Sequence, residues 1–207
     1  MSRGLFISLE GIDGVGKSTQ VERLAEFFSA QGKTVVTTFE PGGTELGQEI
    51  RHLLLHRKGD VAPRAEALLF AADRAHHVAT KVRPALERGE IVITDRYLDS
   101  SVAYQGSGRD LDFEEVRNIS LFAVGGLLPD LTVLLDLEAS KAMARRNKTG
   151  AEPDRLEREK ADFFETVRQS FLKLATAEPN RFLVVDAELG AEEIQNVIRA
   201  RVETLLG

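Results

Sequence analysis

The 207-residue chain has no cysteine and no tryptophan. Without cysteine there are no disulfides and no thiolate zinc site, which fits a reducing compartment. No apolar run approaches the roughly 20 residues needed to cross a bilayer. Met1-Ser2-Arg3-Gly4 leads straight into an apolar stretch, which leaves no room for a signal peptide, so the expected location is cytoplasmic. Positive charge is also scarce: 27 Lys and Arg stand against 33 Asp and Glu, a net charge of −6. A general nucleic-acid binder needs an excess of basic residues. Neither nucleic acid nor a membrane is therefore expected as a partner, whereas a small anionic ligand needs only local positive charge.

The length suits one domain, residues 1–207, rather than two. Apolar runs rich in β-branched residues recur at 5–9, 35–39, 91–94, 131–137 and 182–185, separated by stretches with helical spacing. This alternation predicts an α/β fold of three layers, α/β/α, around a five-stranded parallel sheet joined by right-handed crossovers. Near-continuous apolarity in the runs implies helices on both sheet faces. Functional loops then gather at the carboxyl ends of the strands. Val21, Leu24, Ala25 and Phe28 form a core stripe on the first helix, and Gly32 is its expected stop. Between Ala144 and Glu159 the pattern gives way to polar, turn-rich sequence, read as a mobile lid over about residues 144–158.

Gly11-Ile12-Asp13-Gly14-Val15-Gly16-Lys17-Ser18, followed by Thr19, fits the phosphate-loop pattern G-x-x-x-x-G-K-S/T and stands just after the first apolar run. Its glycines let successive backbone N–H groups turn inward on a phosphate, and the helix that follows points its positive end at the same place. Lys17 is expected to reach the β- and γ-phosphates of a nucleotide, and Ser18 to ligate magnesium. The third run ends in Asp95, a candidate for the magnesium shell, followed by Arg96, whose planar fork of donors suits a phosphate.

Asp95-Arg96-Tyr97 is followed by Ser100-Ser101-Val102-Ala103-Tyr104-Gln105-Gly106 and preceded by Glu40-Pro41-Gly42-Gly43-Thr44 and Phe70-Ala71-Ala72-Asp73-Arg74. With the phosphate loop, these four motifs resemble, in order and approximate spacing, those of bacterial thymidylate kinases. The resemblance runs over essentially the whole chain. It implies a nucleoside monophosphate kinase fold of the phosphate-loop NTPase type, in which magnesium-ATP phosphorylates dTMP to dTDP for dTTP synthesis, and a homodimer. It assigns Phe70 to stacking on thymine, Arg74 to its edge and Arg96 to the monophosphate. Ser101 and Gln105 fall where polar contacts to the base are made, and Tyr104 where a ring crowds the sugar 2′ position. Pro41 lines the same pocket, and Asp13 accepts the 3′-hydroxyl.

Phosphoryl transfer spreads charge over the transferred oxygens, so donors beyond Lys17 and magnesium have to converge there. None of Ile12, Asp13, Gly14 and Val15 is basic. Arg145 and Arg155 in the lid are the candidates, approaching from opposite sides, while Arg146 and Lys148 read as solvated. Asp154-Arg155-Leu156-Glu157 also resembles the end of the family's lid. Phe39 departs from the pattern, since many bacterial relatives carry arginine there. His52, His56, His76 and His77 complete no ligand set and are expected at the surface or at helix caps. The alternatives are another nucleoside or nucleotide kinase, or a guanine-nucleotide switch. Asn147-Lys148-Thr149-Gly150 is superficially like N-K-x-D but ends in Gly, and Asp95 opens no D-x-x-G.

Overall fold

A computed structural model describes residues 3–109, 111–148, 154–156 and 158–206. The lid expected over about 144–158 therefore lies partly outside the described residues. Five parallel strands, β1 (Phe6–Glu10), β2 (Val35–Phe39), β3 (Ile91–Asp95), β4 (Leu131–Asp136) and β5 (Phe182–Asp186), form one sheet in the order β2-β3-β1-β4-β5. Every residue of β1 is buried, as are the first four of β3 and the first five of β4, in keeping with their near-continuous apolarity. The edge strands β2 and β5 are only partly covered.

Three of the five strands run past the last residue that apolarity alone would include, and each takes in a carboxylate. Glu10 pairs with Leu134, Asp95 with Leu9, and Asp186 with Asp136. The carboxyl edge of the sheet is thus acidic at four strand ends. Arg168 meets it at Asp136, donating from Nε at 2.7 Å and from Nη2 at 3.0 Å.

Between the strands run α1 (Lys17–Ala30), α2 (Glu45–Arg51), α3 (Pro63–His77), α4 (Arg83–Glu87), α5 (Leu98–Ser101), α6 (Phe113–Val124), α7 (Ala139–Asn147) and α8 (Ala161–Ala177). The closing helix is α9 (Ala191–Leu206), packed beside α1. Helix α2 widens into a π-helical turn at His52–His56, and α5 into another at Val102–Ser107. Helix α1 ends as expected, with Gly32 at φ 74 and its N–H donating to the Ser29 carbonyl at 2.9 Å. The larger core joins α1, α8 and α9 to the sheet through Leu24, Phe28, Phe164, Phe171, Ile198 and Val202. A second, around Phe6, Val82, Leu86 and Tyr97, lies on the other side with the α3–α4 continuation. A third, smaller cluster of Ile50, Leu54, Leu55, Phe70 and Leu156 joins α2 and α3 to the lid's far end.

Strand β1 lies between β3 and β4, and the chain builds outward from it on both sides. The crevice where such a sheet changes direction is where α/β folds bind ligands. The segment after β1 and the segment after β3 both open into it.

Candidate active site

The phosphate loop turns on glycines in positive φ: Gly11 at 133°, Gly14 at 90° and Gly16 at 98°. At Gly14 the reason is spatial as well, because a Cβ would stand 2.3 Å from the Ala142 carbonyl oxygen of α7. Lys17 begins α1 and is nearly buried; its Nζ donates to the carbonyls of Gly11 at 3.2 Å and Ile12 at 3.1 Å. Burial, then the charge of Arg96, lowers the Lys17 ammonium below its ordinary value. The Ser18 hydroxyl donates to Asp95 Oδ2 at 2.9 Å, so the two oxygen groups already share one spot at the loop's mouth. Hard oxygen donors of this kind suit magnesium, which takes its remaining ligands from water and phosphate.

Arg96 stands where β3 leaves the sheet and is the one non-glycine residue in positive φ among those described, at 70°. Its guanidinium reaches the Gly11 carbonyl at 3.1 Å, Ser100 Oγ at 2.9 Å, Asp13 Oδ1 at 2.6 Å and the Tyr104 hydroxyl at 3.1 Å. It also lies over the Tyr104 ring, 4.9 Å from its centre. Burial alone would raise the Asp13 carboxyl, but Arg96 and Lys17 outweigh it and hold Asp13 well below the usual carboxylate range. Asp13 is therefore an anion paired with two cations.

Beyond Arg96 a cleft of about 650 Å³, its open mouth included, is lined by Asp13, Pro41, Phe70, Arg74, Ser101, Tyr104 and Gln105 among others. Every acceptor-site residue expected from sequence is thus brought together. Arg74 is buried: its Nε donates to Glu40 Oε2 at 2.7 Å and its Nη2 to Ser101 Oγ at 3.0 Å and the Tyr97 carbonyl at 3.2 Å. Its Nη1 has no hydrogen-bond partner among the described residues. A buried donor without an acceptor is costly, so this atom favours a hydrogen-bond acceptor on whatever the cleft binds. A second groove runs past Gly14, Gly16, Lys17, Ser18, Thr19, Asp95, Arg96, Arg145 and Arg146. The two share Asp13, Glu40, Arg51 and Arg96.

The lid arginines part company. Arg145 Nη1 donates to the Ala187 carbonyl at 2.8 Å and its side chain lines the phosphate groove. The structure does not bring Arg155 there. Its Nε donates to the Leu54 carbonyl at 2.7 Å and its Nη2 pairs with the fully buried Glu66, at the rim of the acceptor cleft. Arg146, read from sequence as solvated, lines the phosphate groove instead. Pro153 and Glu157, beside Arg155, lie outside the described residues, as does Thr149.

Several residues of the site went unread in the sequence. Arg51 lines both cavities, donates to the Pro41 carbonyl at 2.8 Å, and has its guanidinium 5.8 Å from the centre of the Phe39 ring. His77 is not at the surface but wholly buried, joining Thr38 Oγ1 at 2.7 Å to Glu40 Oε1 at 2.8 Å, so the reading of all four histidines as surface or capping residues fails for it. Asp73 sits beside this group, its carboxyl pushed up to about 6 by burial and by Glu40. Glu10 is fully buried at the end of β1, accepting from Tyr97 N at 2.8 Å and Ser100 Oγ at 2.6 Å. A polar residue placed on an otherwise buried face is the signal that could have found them.

Matches to known proteins agree with this geometry. A family model described as thymidylate kinase matches residues 9–198. A thymidylate kinase of Clavibacter sepedonicus is 64% identical over 203 residues, covering 98% of this chain and 96% of that protein. One from Leifsonia xyli subsp. xyli is 63% identical over 200 residues, covering 97% and 95%. Among solved structures, that of thymidylate kinase from Ehrlichia chaffeensis superposes with a TM-score of 0.77 at 30% identity, covering 99% of both chains.

Burial, followed by the nearby Asp99, pushes the Glu10 carboxyl up to about 8. An acid whose folded pKa is raised keeps a proton that the unfolded chain has released, so its contribution to stability falls as pH rises from about 4.5 towards about 8. Glu10→Gln removes that component. Urea unfolding across this range is expected to show a shallower loss of stability in the variant, and parallel profiles would refute the assignment.

Proposed function

We infer that this chain, which belongs to the thymidylate kinase family, is a dTMP kinase: it transfers the γ-phosphoryl group of ATP to dTMP, giving dTDP. The observation that carries the reading beyond family membership is a cleft lined by Phe70, Arg74 and Gln105 that joins the phosphate groove at Asp13 and Arg96. A phosphoryl-transfer enzyme needs two sites meeting end to end.

ATP occupies the groove, with its phosphates on the loop N–H groups of residues 11–19. Lys17 leaves its two carbonyl partners to reach the β- and γ-phosphates; a lysine partly stripped of water binds an anion more strongly than a solvated one. Ser18 and Asp95 would hold magnesium, whose positive charge would offset the negative charge of the phosphates. dTMP lies in the cleft with its base against Phe70 and its edge at Arg74, Ser101 and Gln105. Tyr104 stands beside the sugar, where it favours deoxyribose over ribose. Pro41 closes the wall. Arg96 grips the acceptor phosphate, and Asp13, kept ionised between Arg96 and Lys17, accepts from the 3′-hydroxyl. An oxygen of the dTMP phosphate attacks the γ-phosphorus in line while the bond to the β–γ bridging oxygen breaks and ADP leaves, and the charge spread over the transferred group and the bridging oxygen meets Lys17, Arg96 and Arg145. Arg155, as placed here, supports the rim of the acceptor cleft, and reaching the phosphates would require it to leave Glu66.

A homodimer and a cytoplasmic location complete the proposal. No helix among the described residues is long and apolar enough to cross a membrane. Phe122 on α6 is 89% exposed and Leu68 on α3 56% exposed, beside a groove lined by Ala67, Leu111 and Ile119. Self-association through this face would cover apolar area that water disfavours.

Two variants test these roles. ADP release measured over the common deoxynucleoside monophosphates is expected to peak sharply at dTMP, and Lys17→Ala to lower turnover at least ~10²-fold, as loss of a charge tracking the transferred group should. Another preferred acceptor, or near-wild-type turnover, would overturn the reading. Phe122→Asp is expected to shift the sedimenting species from dimer to monomer, and an unchanged dimer would exclude this face.

A further inference from the structure

Glu66 is a fully buried carboxylate in the first turn of α3 that the mechanism above does not use. It lies four and eight residues before Phe70 and Arg74, on the helix face that lines the acceptor cleft. Three side chains from outside the helix converge on it. Gln105 donates from Nε2 to Oε1 at 3.0 Å, Arg109 from Nε to Oε1 at 3.3 Å, and Arg155 from Nη2 to Oε2.

A carboxylate between two guanidiniums can only accept hydrogen bonds, so the Gln105 amide has to turn its nitrogen towards Glu66. The carbonyl oxygen is then the polar atom Gln105 has left for the cleft. Gln105 is itself buried, which leaves its amide no water to compensate for the opposite orientation. Resting on the dTMP reading of the cleft, we propose that Glu66 is a specificity-determining positioning residue, which fixes Gln105 as a hydrogen-bond acceptor beside the Arg74 donor.

An acceptor next to a donor is the complement of an imide edge, an N–H beside a carbonyl, as thymine presents. Cytosine presents a ring nitrogen acceptor beside an amine donor and is mismatched at both positions. If the Gln105 amide were free to turn over, each base would make one match and one mismatch, and discrimination would narrow. A buried polar mismatch is among the strongest sources of selectivity available to a binding site.

Glu66→Gln is the test, because a carboxamide can donate or accept and no longer dictates the orientation at position 105. The readout is the ratio of the dCMP inhibition constant to the dTMP KM, with thermal melting as the folding control. The expected result is a fall in this ratio of at least about tenfold, with the KM for ATP unchanged. The exchange variant Glu66→Gln with Gln105→Glu restores the pattern, since the carboxamide at 66 donates to the carboxylate at 105, whose second oxygen still faces the base. Its ratio is expected within about threefold of wild type. If the single variant does not fold, the exchange variant alone decides. A ratio unchanged in the single variant, or lost in the exchange variant, overturns the proposal. A wild-type enzyme that does not distinguish dTMP from dCMP would instead refute the thymine reading itself.

Discussion

The pairing of Arg96 with Asp13 holds the two halves of the site together. A buried guanidinium is stable only if its charge is matched and its donors are used. Here the backbone is bent into positive φ to aim the side chain inward, and its N–H is tied to the Leu9 carbonyl at 2.9 Å. The side chain then reaches the phosphate loop at Gly11 and Asp13, helix α5 at Ser100, and the Tyr104 ring. Those contacts fix the distance between the groove that takes ATP and the cleft that takes its acceptor. Glu10 stands behind this assembly, holding Ser100 from the other side. The same guanidinium lines the cleft that takes the acceptor.

Helix α3 supplies a second constraint. Glu66, Phe70, Arg74 and His77 follow one another along its buried face at spacings of four, four and three residues. The first and last are polar groups tied to other elements, Glu66 to the lid end through Arg155 and His77 to β2 through Thr38. Phe70 and Arg74 between them are thereby held in register with the cleft. Burial of so many charged groups costs stability, and it is offset only because nearly all have partners. The Nη1 of Arg74 is an exception among the described residues, and an acceptor on a bound base would complete it.

Much of this was legible in the sequence, and the part that was not has a common cause. The phosphate loop reads directly because its glycines, lysine and serine are a local pattern with one structural solution, and the five strands read from their apolarity. Even there the strand ends were placed short at Glu10, Asp95 and Asp186, because a carboxylate at a sheet edge looks like a turn until its long-range partners are known. Glu10 meets Ser100 across 90 residues and Glu66 meets Arg155 across 89, and no local window contains such pairs. The same limit explains Arg155, drawn to Glu66 rather than to the phosphates, and His77, drawn inward by Glu40. Arg146 reads from sequence as solvated and Arg51 carries no local signal, and only the folding of α7 and α2 beside the crevice brings them to it.

The central claim is that Arg96 joins the phosphate loop to the acceptor's phosphate. Its most direct test is the binding of dTMP and of thymidine, measured by calorimetry for wild type and for Arg96→Met. The account predicts that dTMP binds wild type much more tightly than thymidine does, and that the variant loses at least about tenfold of that difference, as removal of a charged hydrogen-bond partner should. Equal preference for dTMP over thymidine in both proteins would contradict it.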